Sequence, residues 1–166
     1  MEAGLPVVGD IMPLEIERKF LVTGRPWEGV VVGTPIRQGY LAQSEESVVR
    51  VRASGQQAWL TIKGPTRGLS RLEFEYEIPL EDASPLLELC GEGLVEKTRY
   101  RIAERGVVFE VDVFEGANAG LVVAEVELSH EEEEFFRPEW LGEEVSHDPR
   151  YRNSELSSRP YSSWDS

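Results

Sequence analysis

The chain has 166 residues, 40% of them apolar, and carries 17 Lys and Arg against 31 Asp and Glu, for a net charge of −14. That length and apolar content suit one domain with a real core, and no apolar run approaches membrane-spanning length. So acidic a chain argues against general nucleic-acid binding, which rests on basic surface; the single cysteine, Cys90, rules out an internal disulfide and fits a reducing cytoplasm.

Residues 1–13 read as a flexible extension, and residues 1–11 lack the basic start and long apolar run of a signal peptide. Met12 offers an alternative start. Period-two alternation then predicts strands near 14–22, 36–43, 47–53, 58–64, 71–79, 94–104, 107–114 and 121–128. Turn residues separate them, among them Gly24, Ser54-Gly55, Gly64-Pro65 and Gly106. A helix is expected over about 83–90, with Asp82 as N-cap and Gly91 just past its end. A second, short helix is expected near 131–136, opening on the run Glu131–Glu134, and a last helical turn near 151–157. Residues 158–166 form a tail with little pattern. One domain over 14–157 accounts for the rest. Eight strands with few helices predict a mainly β fold, an antiparallel sheet or barrel, and closure would remove exposed edges.

Residues two apart on a strand share a face. On the first strand Glu15, Glu17 and Lys19 share one face, and Arg18 lies on the other with Ile16 and Phe20. Further doublets follow: Arg50 and Arg52; Thr61 and Lys63; Glu73 and Glu75; Lys97 and Arg99; Glu110 and Asp112; Glu125 and Glu127. Any one of these alone describes an ordinary half-exposed sheet. As a set they are sorted by sign, strand by strand, whereas a plain solvent face mixes signs. Two like charges one repeat apart on a strand repel by about 2.4 kcal/mol at an effective dielectric near 20. In an enclosed space, paired glutamates call for a divalent cation and paired bases for a polyanion. Hard carboxylate oxygens suit Mg²⁺ or Mn²⁺. An interior so charged needs its apolar outer faces covered by helices or by a second copy in a homodimer. His130 and His147 fit no zinc spacing. Cys90 falls in an apolar helix and reads as core. Tyr40 either packs or lines the interior.

The ordered set resembles the CYTH family, the triphosphate tunnel metalloenzymes. The resemblance opens on Glu15-Ile16-Glu17-Arg18-Lys19 and continues through Gln38-Gly39-Tyr40-Leu41, Val49–Arg52, Leu60–Gly64 and Arg71–Glu75. It ends through Lys97–Tyr100, Glu110–Phe114, Ala124–Leu128, Trp140-Leu141-Gly142 and Arg150–Asn153. It spans about residues 14–157 and points to the small bacterial, inorganic triphosphatase-like branch.

The resemblance implies an eight-stranded antiparallel β-barrel forming a tunnel, with a few external helices. It also implies hydrolysis of a linear triphosphate with Mg²⁺ or Mn²⁺, most simply tripolyphosphate to pyrophosphate and phosphate. By position, Glu15, Glu17, Glu125 and Glu127 match its metal-binding acids. Lys19, Arg50, Arg52, Lys63, Lys97 and Arg99 match its phosphate-binding bases. Glu73, Glu75, Glu110 and Asp112 match acids that hold a second metal or activate the attacking water, with Lys19 acting at the reacting phosphate. The alternatives are an adenylyl cyclase acting on ATP, for which no base-reading motif is visible, a thiamine triphosphatase, and a non-catalytic polyphosphate- or nucleotide-binding module.

Overall fold

A computed structural model describes residues 14–164; the extension expected over 1–13 lies outside these residues. The elements in chain order are β1 (Leu14–Val22), β2 (Thr34–Gln43), β3 (Val48–Ser54), β4 (Gln57–Lys63), β5 (Ser70–Ile78), α1 (Leu80–Leu89), β6 (Val95–Glu104), β7 (Val107–Phe114), β8 (Val122–Glu127), β9 (Leu141–Glu144) and α2 (Asn153–Ser158). No described helix is long and apolar enough to cross a membrane.

The first eight strands close into an antiparallel barrel. Round the wall the order is β1, β8, β7, β6, β2, β3, β4, β5 and back to β1. The closing seam is short, with Leu14 opposite Leu72, Glu15 opposite Arg71 and Ile16 opposite Ser70. The β6–β7 hairpin turns on Arg105 and Gly106, at φ 49° and 79°. Both central residues therefore sit in the left-handed region that a tight two-residue hairpin requires.

The barrel is apolar outside and charged inside. Outward residues of β1, β6, β7 and β8, including Phe20, Ile102, Phe109, Val111 and Val126, form the larger core cluster. The loops after β1 and β8 cover it with Trp27, Phe135 and Trp140. α1 lies over the outer faces of β2, β3 and β4. It comes close because residue 39 is glycine: a Cβ there would stand 2.7 Å from Leu94 and 2.8 Å from the Cys90 Cβ. A second cluster, Val95, Phe114, Leu121, Val123 and Leu156, fills part of the interior as an inner plug beside the cavity.

Four local differences from the sequence reading have physical causes. β9 is an additional strand that pairs with β1 at Phe20–Glu144 and Val22–Leu141, beyond the β5 seam. No helix forms over 131–136. Instead Glu131 accepts a hydrogen bond from the Leu69 N–H and Glu133 one from the Ser129 N–H, while Phe135 packs edge-on to Phe20 and Phe109. α1 starts three residues early, with Pro79 as N-cap and Asp82 inside its first turn. The tail is tied down: Tyr161 and Trp164 pack against the inner plug, and the Tyr161 N–H donates to Asn118 Oδ1 at 2.8 Å.

Candidate active site

The interior holds a cavity of about 380 Å³ lined by seven acids and seven bases. Of the chain's 17 Lys and Arg, seven therefore face one cavity in a protein that is otherwise strongly acidic. The strands supply them by sign. β1, β5, β7 and β8 bring Glu15, Glu17, Glu73, Glu75, Glu110, Glu125 and Glu127; β3, β4 and β6 bring Arg50, Arg52, Lys63 and Arg99; Lys19 completes β1. The register aligns them in rows: Arg50 faces Thr61, which faces Glu75, and Glu17 faces Glu127 across β1 and β8.

Two expected wall residues sit deeper. Lys97 and Asp112 are each 1% exposed and pair at 2.8 Å beneath the cavity surface. Asp112 also takes the Arg99 guanidinium in two hydrogen bonds, of 2.7 Å from Nε and 2.9 Å from Nη2. Burial alone would raise the Asp112 carboxyl; Lys97 and Arg99 hold it well below the usual range. Burial pulls the Lys97 ammonium down; Asp112 opposes this and Arg99 adds to it. Alternation identifies which face of a strand is inward, but it does not give depth.

The basic wall is short of counter-charge. Arg50 is 5% exposed, reaches Glu75 at 3.4 Å, and its buried Nε has no hydrogen-bond partner among the described residues. Among the described residues Arg52 donates to Gln38 alone, at 2.8 Å; burial, with Arg50 and Arg99 close by, pulls it down to about 10. Two guanidiniums facing a cavity, one with an orphaned N–H, form a receptor for an anion with several oxygens. The Tyr40 hydroxyl lines the same wall and accepts from Gln38 Nε2 at 3.1 Å.

The acidic wall has the converse problem. Burial, then Glu125 and Glu15, push the Glu17 carboxyl well above its ordinary range. Glu15 and Glu73 share a hydrogen bond. Burial raises Glu15, but Glu73 and Lys63, whose Nζ lies 3.2 Å away, hold it low. Glu73 takes the opposite share: burial and Glu15 push it up to about 7 against the Lys63 ammonium. Lys19 stands 3.7 Å from Glu125. Among the described residues no three acids converge on a single point. These hard oxygens therefore fit an ion that takes one or two carboxylates and completes its shell from a ligand's oxygens, as Mg²⁺ does.

Several wall residues carried no assignment from sequence. Arg71 shares the face of Glu73 and Glu75, so its signal was present in the alternation; its side chain donates twice to the Gly64 carbonyl, at 3.0 and 2.8 Å. Arg152, Asn153 and Ser154 come from the turn before α2 and from α2 itself, where no strand period could mark them. Asn153 Oδ1 accepts from Lys97 at 2.9 Å and Gln38 at 3.1 Å, and the Tyr151 carbonyl accepts from Lys19 at 3.2 Å. Arg18 points out of the barrel to Glu144, at 2.9 and 3.1 Å.

A second cavity, of about 510 Å³, shares Arg52, Glu75, Arg99 and Glu110 with the first, so the two meet at these side chains. The interior is thus a tunnel.

The CYTH domain family matches residues 13–161. The chain is 46% identical over 151 residues to a protein named inorganic triphosphatase from Acetivibrio thermocellus, covering 90% of this chain and 97% of that one. It is 40% identical over 148 residues to another of that name from Nitrosomonas europaea, covering 86% and 96%. A crystal structure of an inorganic triphosphatase superposes with a TM-score of 0.65 at 37% identity, covering 86% of this chain and 93% of that one. With its sign-sorted tunnel and these relatives, the chain belongs to the CYTH family.

Proposed function

We propose that this protein hydrolyses a linear triphosphate, tripolyphosphate to pyrophosphate and phosphate, with Mg²⁺ or Mn²⁺ bound in the tunnel. The observation that carries the reading is the meeting of two incompletely matched groups in one cavity: the orphaned Arg50 Nε beside Arg52, and Glu17 among Glu125 and Glu15. The relatives named inorganic triphosphatase support the same reading.

A divalent cation held by Glu15 or Glu17 of β1 and Glu125 or Glu127 of β8 would supply Lewis-acid polarisation of phosphate oxygens. Arg50, Arg52, Arg99, Lys19 and Lys63 grip the triphosphate and stabilise the charge that develops on its oxygens. Lys97 and Asp112 act from below, by fixing Arg99. Glu75 is engaged by Arg50 and Glu110 by Arg99 and Arg101. Glu73 shares a hydrogen bond with Glu15 and lies 4.0 Å from Lys63, the longest of these contacts, and we assign it the role of taking the proton. Water attacks the terminal phosphorus, the new P–O bond forms as the bridging P–O bond breaks, the water proton passes to Glu73, and pyrophosphate leaves.

The test is phosphate release from tripolyphosphate with Mg²⁺, with Mn²⁺ and with EDTA. Release with either metal and none with EDTA is the expected result. No release with any divalent metal overturns the hydrolase reading, and ATP or thiamine triphosphate turned over faster would reassign the substrate. Tight calorimetric binding of tripolyphosphate without product would identify a binding module.

A further inference from the structure

The seam between β1 and β5 ends unequally. Leu14, Glu15 and Ile16 pair with Leu72, Arg71 and Ser70, and one step further the Glu17 N–H donates to the Leu69 carbonyl at 3.3 Å. In an antiparallel ladder a pair bonded in this way exchanges two bonds, which would send the Leu69 N–H to the Glu17 carbonyl. It donates instead to Glu131 Oε1, at 2.6 Å. Glu131 stands 62 residues away in sequence, in the turn that follows β8. A side chain from beyond β8 thus takes the bond with which β5 would hold β1.

The backbone is shaped for this carboxylate. Gly68 has φ 62°, and a Cβ there would stand 2.5 Å from Glu131 Oε1. Only glycine both adopts that conformation readily and leaves the carboxylate room. The turn carrying Glu131 is itself fixed: the Leu128 N–H donates to the Ile16 carbonyl at 2.8 Å, and Glu133 Oε1 accepts from the Ser129 N–H at 2.8 Å. The β4–β5 turn is closed by Arg67 and Ser70, which exchange backbone hydrogen bonds of 2.7 and 3.0 Å. One charge-assisted bond therefore joins two braced turns, and β1 lies between β8 and β5 in the wall. Thr66, Gly68 and Leu69 of the β4–β5 turn line the same cavity as Glu15 and Glu17.

We propose that Glu131 is a positioning residue for the acids of β1: it clasps β5 to the end of β8 across β1 and so fixes the backbone that carries Glu15 and Glu17. The proposal rests on the reading of those acids as metal ligands. Glu131 does not line the cavity, so it acts through metal affinity and leaves the basic wall alone. Groups that orient metal ligands from outside change metal affinity by about 10–100-fold, and a clasp that works through the backbone belongs at the low end.

The test is the Mg²⁺ dependence of phosphate release from tripolyphosphate by the wild type and by E131A, E131Q and G68A. E131A should raise the Mg²⁺ concentration for half-maximal rate about tenfold, with KM for tripolyphosphate at saturating Mg²⁺ within about twofold. E131Q keeps an acceptor oxygen in place and should restore most of the affinity. G68A should reproduce the E131A defect and add little to it in the double variant, because both break one bond; if G68A fails to fold, the two variants at the exposed Glu131 decide. Amide exchange at Leu69 and Glu17 should quicken in E131A while that of β6 and β7 stays unchanged. Unchanged metal dependence in E131A, equal losses in E131A and E131Q, or exchange quickened equally throughout the barrel overturns the clasp. If the wild type releases no phosphate with any metal, the hydrolase reading fails separately, and calorimetry with Mn²⁺ decides: binding weakened in E131A and kept in E131Q supports the clasp, while equal binding in all variants, or none to the wild type, overturns it.

Discussion

Arg99 grips Asp112 through two N–H···O bonds, of 2.7 and 2.9 Å, while Lys97, two residues earlier on the same strand, holds the same carboxylate at 2.8 Å. Removing the anion strands two buried cations. Asp112→Asn should cost about 3–5 kcal/mol of stability, measured by urea denaturation, and should lower kcat/KM for tripolyphosphate because Arg99 loses its fork. A stable variant of full activity would show that Asp112 does not position Arg99.

Arg52 presents the opposite case. It is held near Arg50 and Arg99 with one neutral partner. Arg52→Ala should lower kcat/KM for tripolyphosphate by about 10²–10³-fold, and Arg52→Lys should recover only part, since a point charge cannot reproduce the planar fork. Thermal unfolding of the metal-free protein should show no loss of stability, because the substitution relieves repulsion. A large fall in Tm would mean that Arg52 is structural.

The Glu73 carboxyl, pushed up to about 7 by burial and by Glu15, predicts a pH dependence. Its folded value exceeds the unfolded value of about 4.5, so the folded state binds more protons in between. The stability it contributes is present in full below about pH 4.5 and is lost as pH rises through about 7. Glu15 and Asp112, held low, act in the opposite sense at more acid pH. Denaturation of the metal-free protein between pH 5 and 8 should therefore show stability falling with pH, and Glu73→Gln should flatten that slope. A slope unchanged by the substitution would remove Glu73 as its source.

Arg18 lies within the same pentapeptide as Glu15, Glu17 and Lys19, yet it serves the outer wall. Its bidentate pair with Glu144 ties β1 to β9 at a site 25% exposed on both sides. Arg18→Ala should cost about 1 kcal/mol and leave kcat and KM for tripolyphosphate unchanged. A tenfold loss of kcat would place Arg18 in the site after all.

The inward charges were legible because strand alternation is a strong signal and the signs were sorted; Glu15, Arg50, Lys63, Glu73 and Glu125 all face the cavity. Two kinds of feature were not legible. Depth was hidden, so Lys97 and Asp112 looked like wall residues when they lie beneath it. Residues outside strands were hidden as well: Arg152 and Asn153 reach the tunnel only because Leu156 and the tail aromatics anchor that segment to the inner plug. The four-residue β9 is too short to show a period. The acidic run at 131–134 carries helix-like composition, but Glu133 takes the nearby Ser129 N–H and Glu131 the Leu69 N–H across the fold.

The seam between β1 and β5 spans three residue pairs, against eight for β6 and β7. A barrel so unevenly stitched opens where the stitching is shortest. Amide hydrogens at Glu15 and its neighbours should exchange by local opening, at a free energy below that of global unfolding, while those of β6 and β7 report the whole molecule. Glu15 belongs both to the seam and to the acidic wall. If the proposed metal and phosphate chain are held through Glu15, their binding would latch the barrel shut, and occupancy of the tunnel and continuity of its wall would rise and fall together.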